Sequence, residues 1–396
     1  MKEQTTILSS TNQPILTVGL SLLTKAVRRA LGDLVIAVIS DVHLGHTRVR
    51  ASKIISVLEC SFPPERMEVL DVIIISGDLF EKRLAHDGDD TFLITRWMER
   101  FLKSAAKHNV AIRILEGTPS HDNRQSRWMV HYNEMIEANA DVKYYENIVI
   151  DELVPGGPTV LYVQDEMNHD ANRTWKQVQE LMREKGIDQV DFAVMHGMFT
   201  YQEPVRSISS HTEERYESIV KHLIIIGHNH QRTVFGKIRV PSSIERLRYN
   251  EEDNKGHLQF CYSKEDGVYD EYFIVNEVAT IFTTIDVAGK TLNQVLAILK
   301  KLNGSPDGSN YRLKLSRTDE AYTALTRITN EFPHFNITTK VTDNSADIDA
   351  DTTAMVVENV SLTSIRSDTI RQLMLPRLTG TPDDVMALIE KVLENC

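Results

Sequence analysis

The chain is poor in cysteine: Cys60, Cys261 and Cys396 are its three, far apart and with no CxxC pair among 396 residues. That spacing excludes a disulfide framework and a thiolate zinc site, and it fits a reducing compartment. A basic excess is also missing. Against 44 Lys and Arg stand 56 Asp and Glu, a formal net charge of −12. Coating nucleic acid by bulk charge is therefore excluded, whereas a local nucleic-acid site is not. No apolar run approaches the roughly 18 residues of a membrane span. Ile15–Leu23 is apolar, but Lys25, Arg28 and Arg29 follow at once without a small-residue cleavage site, a poor match to a secretory signal. The expectation is a protein that is not secreted and has no membrane contact.

What is present is an ordinary globular composition, 41% hydrophobic and 25% charged. A single core stops growing at roughly 250–300 residues, so this length favours two domains or one large domain with an appendage. Leu16, Leu20, Leu23, Val27 and Leu31 recur at helical spacing before Gly32-Asp33, which predicts an amphipathic helix packed on the body or, alternatively, lying on a membrane surface. Strands are predicted at Leu34–Ser40, Val72–Ser76, Val110–Leu115, Val160–Val163, Phe192–Met195 and Leu223–Ile226. Helical patterns lie between them at Ala51–Cys60, Asp90–Asn109, Arg127–Ala138 and Thr174–Lys185. This alternation predicts an α/β fold with a sheet covered on both faces. Beyond Gly256 the texture changes. Strands at His257–Ser263, Tyr269–Val275, Thr280–Val287, Tyr311–Ser316 and Asn336–Val341, with helices at Leu292–Leu302 and Glu320–Asn330, predict a small α+β unit. An acidic stretch from Thr342 reads as a linker, and Ser361–Leu375 and Pro382–Asn395 as two terminal helices.

Acidic residues and histidines recur where predicted strands end. Asp41 and His43 follow the first strand, Gly77-Asp78 the second, and Gly117 to His121-Asp122 the third. His196-Gly197 and Gly227-His228-Asn229-His230 follow later ones. Strand C-termini are where open α/β sheets bind ligands, and residues i and i+2 of an extended chain project to the same side. Each motif alone is an ordinary turn or a buried histidine. Five in one chain, each after an apolar run, point to a shared site. Carboxylate oxygen and imidazole nitrogen without thiolate suit Mn²⁺, Fe or Zn²⁺ better than Ca²⁺. The donors outnumber the needs of one tetrahedral ion and suit two ions about 3.5–4 Å apart sharing a carboxylate. Asp78, a lone carboxylate at a strand end, is the natural bridge.

The order DxH, GD, HD, H, GHxH resembles the calcineurin-like metallophosphoesterases over about residues 34–232. The resemblance implies a metallophosphoesterase β-sandwich flanked by helices. One ion would take Asp41, His43, Asp78 and His230. The other would take Asp78, His196, His228 and the residue before His121, here Ser120 where the family has Asn. His121 would protonate the leaving oxygen, with Asp122 fixing its tautomer.

Val240-Pro241-Ser242-Ser243-Ile244-Glu245-Arg246, then Glu251-Glu252 and Lys255-Gly256, resembles the junction of the SbcD/Mre-type DNA double-strand-break-repair exonuclease subunits. Leu44-Gly45 and Leu79-Phe80 also match that subgroup, whereas Ser242 and His257 depart from it. A charged surface turn is the alternative for 240–256. The resemblance implies an N-terminal extension over 1–33, a nuclease domain over 34–256, a DNA-capping domain over 257–341, a linker over 342–360 and ATPase-binding helices over 361–396. It also implies two divalent metal ions, most often Mn²⁺, DNA as substrate, a homodimer and an ABC-type ATPase partner with a coiled coil, in the cytoplasm or at the nucleoid. Packing on the chain's own small unit is the alternative for the last helices. Two rivals for function are a small-molecule or cyclic-nucleotide phosphodiesterase and a catalytically weak DNA-end-binding subunit.

Overall fold

A computed structural model describes residues 25–165, 170–203 and 207–342. The chain runs α1 (Lys25–Leu31), β1 (Leu34–Ile39), α2 (Ala51–Ser61), α3 (Pro64–Val69), β2 (Val72–Ser76), α4 (Asp89–Lys107), β3 (Ala111–Leu115), α5 (Trp128–Met135) and β4 (Val142–Tyr145). It continues through β5 (Val149–Glu152), β6 (Thr159–Val163), α6 (Ala171–Lys185), β7 (Val190–His196), α7 (Glu213–Ile219), β8 (Val220–Gly227), β9 (Thr233–Phe235), β10 (Ile238–Val240), β11 (Gly256–Ser263) and β12 (Gly267–Val275). Last come β13 (Phe282–Asp286), α8 (Leu292–Lys300), β14 (Asn310–Leu315), α9 (Glu320–Thr323), α10 (Leu325–Glu331) and β15 (Asn336–Val341).

The alternating faces of the apolar strands build the layers. In β1, Leu34, Ile36 and Val38 face a core shared with Phe192 and Val194 of β7 and Leu223 and Ile225 of β8. Val35, Ala37 and Ile39 face the opposite way, against Ile54 and Leu58 of α2 and Trp97, Met98 and Leu102 of α4. In β7 and β8 the other face, Ala193, Met195, Ile224 and Ile226, packs on Val178 and Met182 of α6 and Tyr216 of α7. Strands buried on both sides read as continuous apolar runs. The result is two six-stranded sheets face to face with helices outside, a mixed α/β fold. The first has the order β12-β11-β1-β2-β3-β4 and the second β5-β6-β7-β8-β10-β9. Helix α4 is held on its sheet by Ile94, Trp97, Met98, Phe101, Leu102 and Ala105, a stripe at three- and four-residue spacing.

Four expectations change. Strands β11 and β12 do not open a separate unit at residue 257. They complete the first sheet, β11 pairing antiparallel with β1 from Leu34↔Tyr262 to Val38↔Leu258. The small unit begins instead near Thr280. Its three strands are all parallel, with helices in the crossovers, so it is an α/β element rather than α+β. The predicted helix Glu320–Asn330 is two short helices, α9 and α10. Residues Lys25–Leu31 form a helix on the body, but its basic residues dock it, Arg28 and Arg29 reaching Asp71 at 3.3 and 2.7 Å, whereas Val27 and Leu31 of the expected apolar stripe are exposed. The rest of the 1–33 extension, the 342–360 linker beyond Thr342 and the 361–396 helices lie outside the described residues. Among the described residues no helix is long and apolar enough to cross a membrane.

Candidate metal centre

The C-terminal ends of β1, β2, β3, β7 and β8 meet, and the loops that leave them carry the predicted site residues. Backbone geometry there is unusual. Asp41, His43, Asp78 and His228 all have positive φ, between 49° and 96°. For residues with a Cβ such conformations cost about 1–2 kcal/mol each and persist where surroundings over-determine them. The surroundings are tight. A Cβ on Gly77, itself at φ 92°, would lie 2.0 Å from His196 Nδ1, and one on Gly117 would lie 2.1 Å from the Asp78 backbone nitrogen. Bare backbone at these two places lets the strand ends close on each other.

Three groups of donors form among the described residues. Asp41, His43 and His230 make one, Asp78, His196 and His228 another, and His43, Glu81 and His121 a third beside them, each with ligand atoms within 4.8 Å of one another. Asp78 Oδ2 stands between the first two, 3.8 Å from His43 Nε2 and 3.3 Å from His196 Nε2. In the first group the Nε2 atoms of His43 and His230 face each other at 3.2 Å. Asp41 Oδ1 lies 3.8 Å from His230 Nε2. Asp41 is held in turn by Ser40 Oγ at 2.5 Å and by the His228 backbone N–H at 3.0 Å. Converging imidazole nitrogens and buried carboxylates are a donor set that divalent cations fit.

Burial opposes charge on His43, but Glu81, Asp78 and Asp41 outweigh it and raise its pKa to about 9. Burial likewise opposes charge on His196, and Asp78 chiefly overcomes it, to about 10. The same histidines, against the desolvation that works the other way, hold Asp78 well below the usual carboxylate range. His228 goes the other way, to about 4, through burial and the charge on His196.

Two predicted roles are corrected. Ser120 is exposed on its turn. The hydroxyl in the second group is that of Thr118, which reaches Asp78 Oδ2 at 3.1 Å, His228 Nδ1 at 3.2 Å and His196 Nε2 at 3.3 Å. Its backbone N–H also donates to Asp78 Oδ1 at 2.6 Å. Asp122 does not meet the His121 ring. Its carboxylate accepts from Phe80 N at 2.8 Å and Gly117 N at 2.9 Å, tying the loops after β2 and β3 together. Burial and the nearby Asp78 and Glu116 push its pKa up to about 7. The His121 ring is met by Glu81 instead, with Nδ1 2.9 Å from the Glu81 carbonyl and 3.6 Å from its carboxylate.

No family model and no curated protein matches the chain. One solved crystal structure superposes at a TM-score of 0.37 with 9% identity, over 61% of this chain and all of its own. A likeness that slight carries no argument, and the reading rests on the residues.

Sequence reasoning missed Glu81, Thr118 and the orienting role of Glu251. Glu81 Oε2 lies 2.7 Å from His43 Nδ1, and Glu251 Oε1 lies 2.7 Å from His230 Nδ1. A carboxylate behind a ligating imidazole fixes the ring and raises its basicity. Glu81 stands three residues past Asp78, and Thr118 directly follows Gly117, but neither residue type marks a site by itself. Segment 240–256 is no surface turn. Ser242, Ser243, Glu245 and Lys255 are fully buried. Lys255 Nζ donates to the His230 carbonyl at 2.8 Å and lies 3.4 Å from Glu251. Glu245 accepts from the Thr280 N–H at 2.7 Å, so the same segment touches the start of the small unit.

Proposed function

We propose that this chain is a two-metal phosphodiesterase of the calcineurin-like type, acting on DNA ends as an SbcD/Mre-type nuclease subunit. The observation that carries the reading is Asp78, set between two donor groups at the ends of neighbouring strands. One ion would be held by Asp41, His43, Asp78 and His230, the other by Asp78, His196, His228 and Thr118. Mn²⁺ is the favoured ion for this donor set. Bound divalent ions at such a centre neutralise phosphate charge and make water nucleophilic near neutral pH.

The chain's own groups do the rest. Glu81 and Glu251 orient the His43 and His230 rings. The Glu81 carbonyl accepts from His121 Nδ1–H, which leaves Nε2 to hand a proton to a leaving alkoxide. His121 stays partly exposed, as a group that meets substrate requires. The buried 240–256 junction and the small parallel unit behind it favour a nuclease with a second DNA-contacting element over a small-molecule phosphodiesterase. Exonuclease action on duplex ends with endonuclease action on single strands, as a homodimer with an ABC-type ATPase, completes the proposal.

The test is Mn²⁺-dependent digestion of end-labelled duplex and single-stranded DNA. Wild type is expected to cleave, and His121→Ala to lose 10²- to 10⁴-fold in rate while keeping both ions. Cleavage of a chromogenic phosphodiester but never of DNA would favour the small-molecule reading. Ions bound with no cleavage of either would favour an end-binding subunit.

A further inference from the structure

His121 stands on a turn whose backbone is itself strained. Asn123 and Arg124, two and three residues on, both have left-handed φ, 44° and 59°. Such a pair persists only if held. On the inner side the turn is tied by Asp122, as above, and by Gln125, whose Oε1 accepts from Leu84 N at 2.9 Å. On the outer side Glu116 holds its backbone, while Glu146 pairs with the side chains of Arg124, at 3.4 Å, and Arg127. Glu116, only 6% exposed, accepts the Arg124 backbone N–H on Oε1 at 2.5 Å and the Tyr144 hydroxyl on Oε2 at 2.7 Å. Glu116 directly follows β3, its backbone N–H donating to the Tyr145 carbonyl at 2.9 Å, and Tyr144 lies on the paired strand β4, opposite Ile114. Both are therefore held by the sheet. Burial and the adjacent Glu116 carboxylate keep the Tyr144 phenol protonated, a standing donor. The Tyr144 ring is in turn flanked by the Arg127 guanidinium at 5.7 Å.

We propose that Glu116 and Tyr144 are positioning residues that strap the His121 turn to the sheet edge and so set where the His121 ring meets substrate. The His121 ring itself is met by Glu81 and by the edge of His43, 5.0 Å away between centroids. Its reach is therefore set by the turn. This rests on His121 as proton donor.

The experiment uses the full chain with Mn²⁺ and bis(p-nitrophenyl) phosphate, and measures hydrogen exchange over residues 119–125 in parallel. Glu116→Ala is expected to lose about 10- to 100-fold in kcat and Tyr144→Phe somewhat less, with KM nearly unchanged, since small misplacements of a reacting group cost rate. Glu116→Gln should keep near wild-type rate, its amide oxygen accepting from Arg124 N–H and its NH₂ donating to the Tyr144 oxygen. The double variant Glu116→Ala/Tyr144→Phe should be no worse than Glu116→Ala, because both remove one strap. Exchange at the turn should quicken in Glu116→Ala and Tyr144→Phe but not in Glu116→Gln. Unchanged exchange in all variants overturns the strap. Faster exchange with unchanged kcat overturns the positioning role. Faster exchange in a protein whose wild type cleaves no phosphodiester keeps the strap and overturns the phosphodiesterase reading instead.

Discussion

The two halves of the centre hold their imidazoles by different means. Behind His43 and His230 stand carboxylates, Glu81 and Glu251, each at 2.7 Å. Behind His196 stands a backbone carbonyl, that of Ser76 at 2.8 Å, and beside both His196 and His228 a neutral hydroxyl, Thr118. A carboxylate makes its imidazole a stronger donor than a carbonyl or hydroxyl does. The first half should therefore bind its ion more tightly, and the second should be the one that exchanges.

Asp78→Ala strikes both halves and should have the largest effect, loss of both ions by elemental analysis after gel filtration. Retention of two ions would remove Asp78 as the bridge. Next in size, Glu251→Gln should weaken the tighter site about 10- to 100-fold, and Thr118→Val only the weaker one, in two-site titration calorimetry with Mn²⁺. If both variants weakened the same site, the contrast between the halves would be wrong.

A third measurement uses pH. In the metal-free protein the pKa values of His43 and His196 are raised, to about 9 and 10. Their stabilising contribution is thus full below the ordinary histidine value of about 6.5, and it fades as pH rises through 9 and 10. Metal must displace those protons, so Mn²⁺ affinity should climb over the same window while the metal-free melting temperature falls. Proton release on binding at pH 7, read from calorimetry in buffers of different ionisation enthalpy, should approach two per centre. Release near zero would mean these rings are neutral before binding. Smallest of all, Ser120→Ala should leave affinity and rate within about twofold, since its side chain is exposed and Thr118 fills the second group.

How much of this was legible follows from what each residue faces. Strands β1, β2, β3, β6, β7 and β8 are buried on both sides, so their sequences are nearly pure apolar runs and their ends nearly readable. Strands β4 and β5 carry Lys143, Asp151 and Glu152 on half-exposed edges and gave no such signal. Strands β11 and β12 were recognisable as strands but not as partners of β1, because pairing across more than two hundred residues leaves no local mark. Aspartates and histidines beside glycine at strand ends were legible as a site. Thr118 and Glu81 were not, since threonine and glutamate are common on any surface. Counting back from His121 pointed to Ser120, although the chain makes its contact directly after Gly117. Asp122 was assigned to the wrong neighbour because adjacency in sequence does not say which N–H groups a carboxylate will meet.

The pairing of β1 with β11 also bears on synthesis. Leu34 leaves the ribosome early, and its partner Tyr262 follows 228 residues later. At roughly 5–20 residues per second, the apolar inner edge of the first sheet waits roughly 10–45 seconds for its neighbour. An unpaired edge of that kind is a template for another chain. Stalled or truncated products ending before β11 should therefore be the aggregating species of this protein, whatever their metal content.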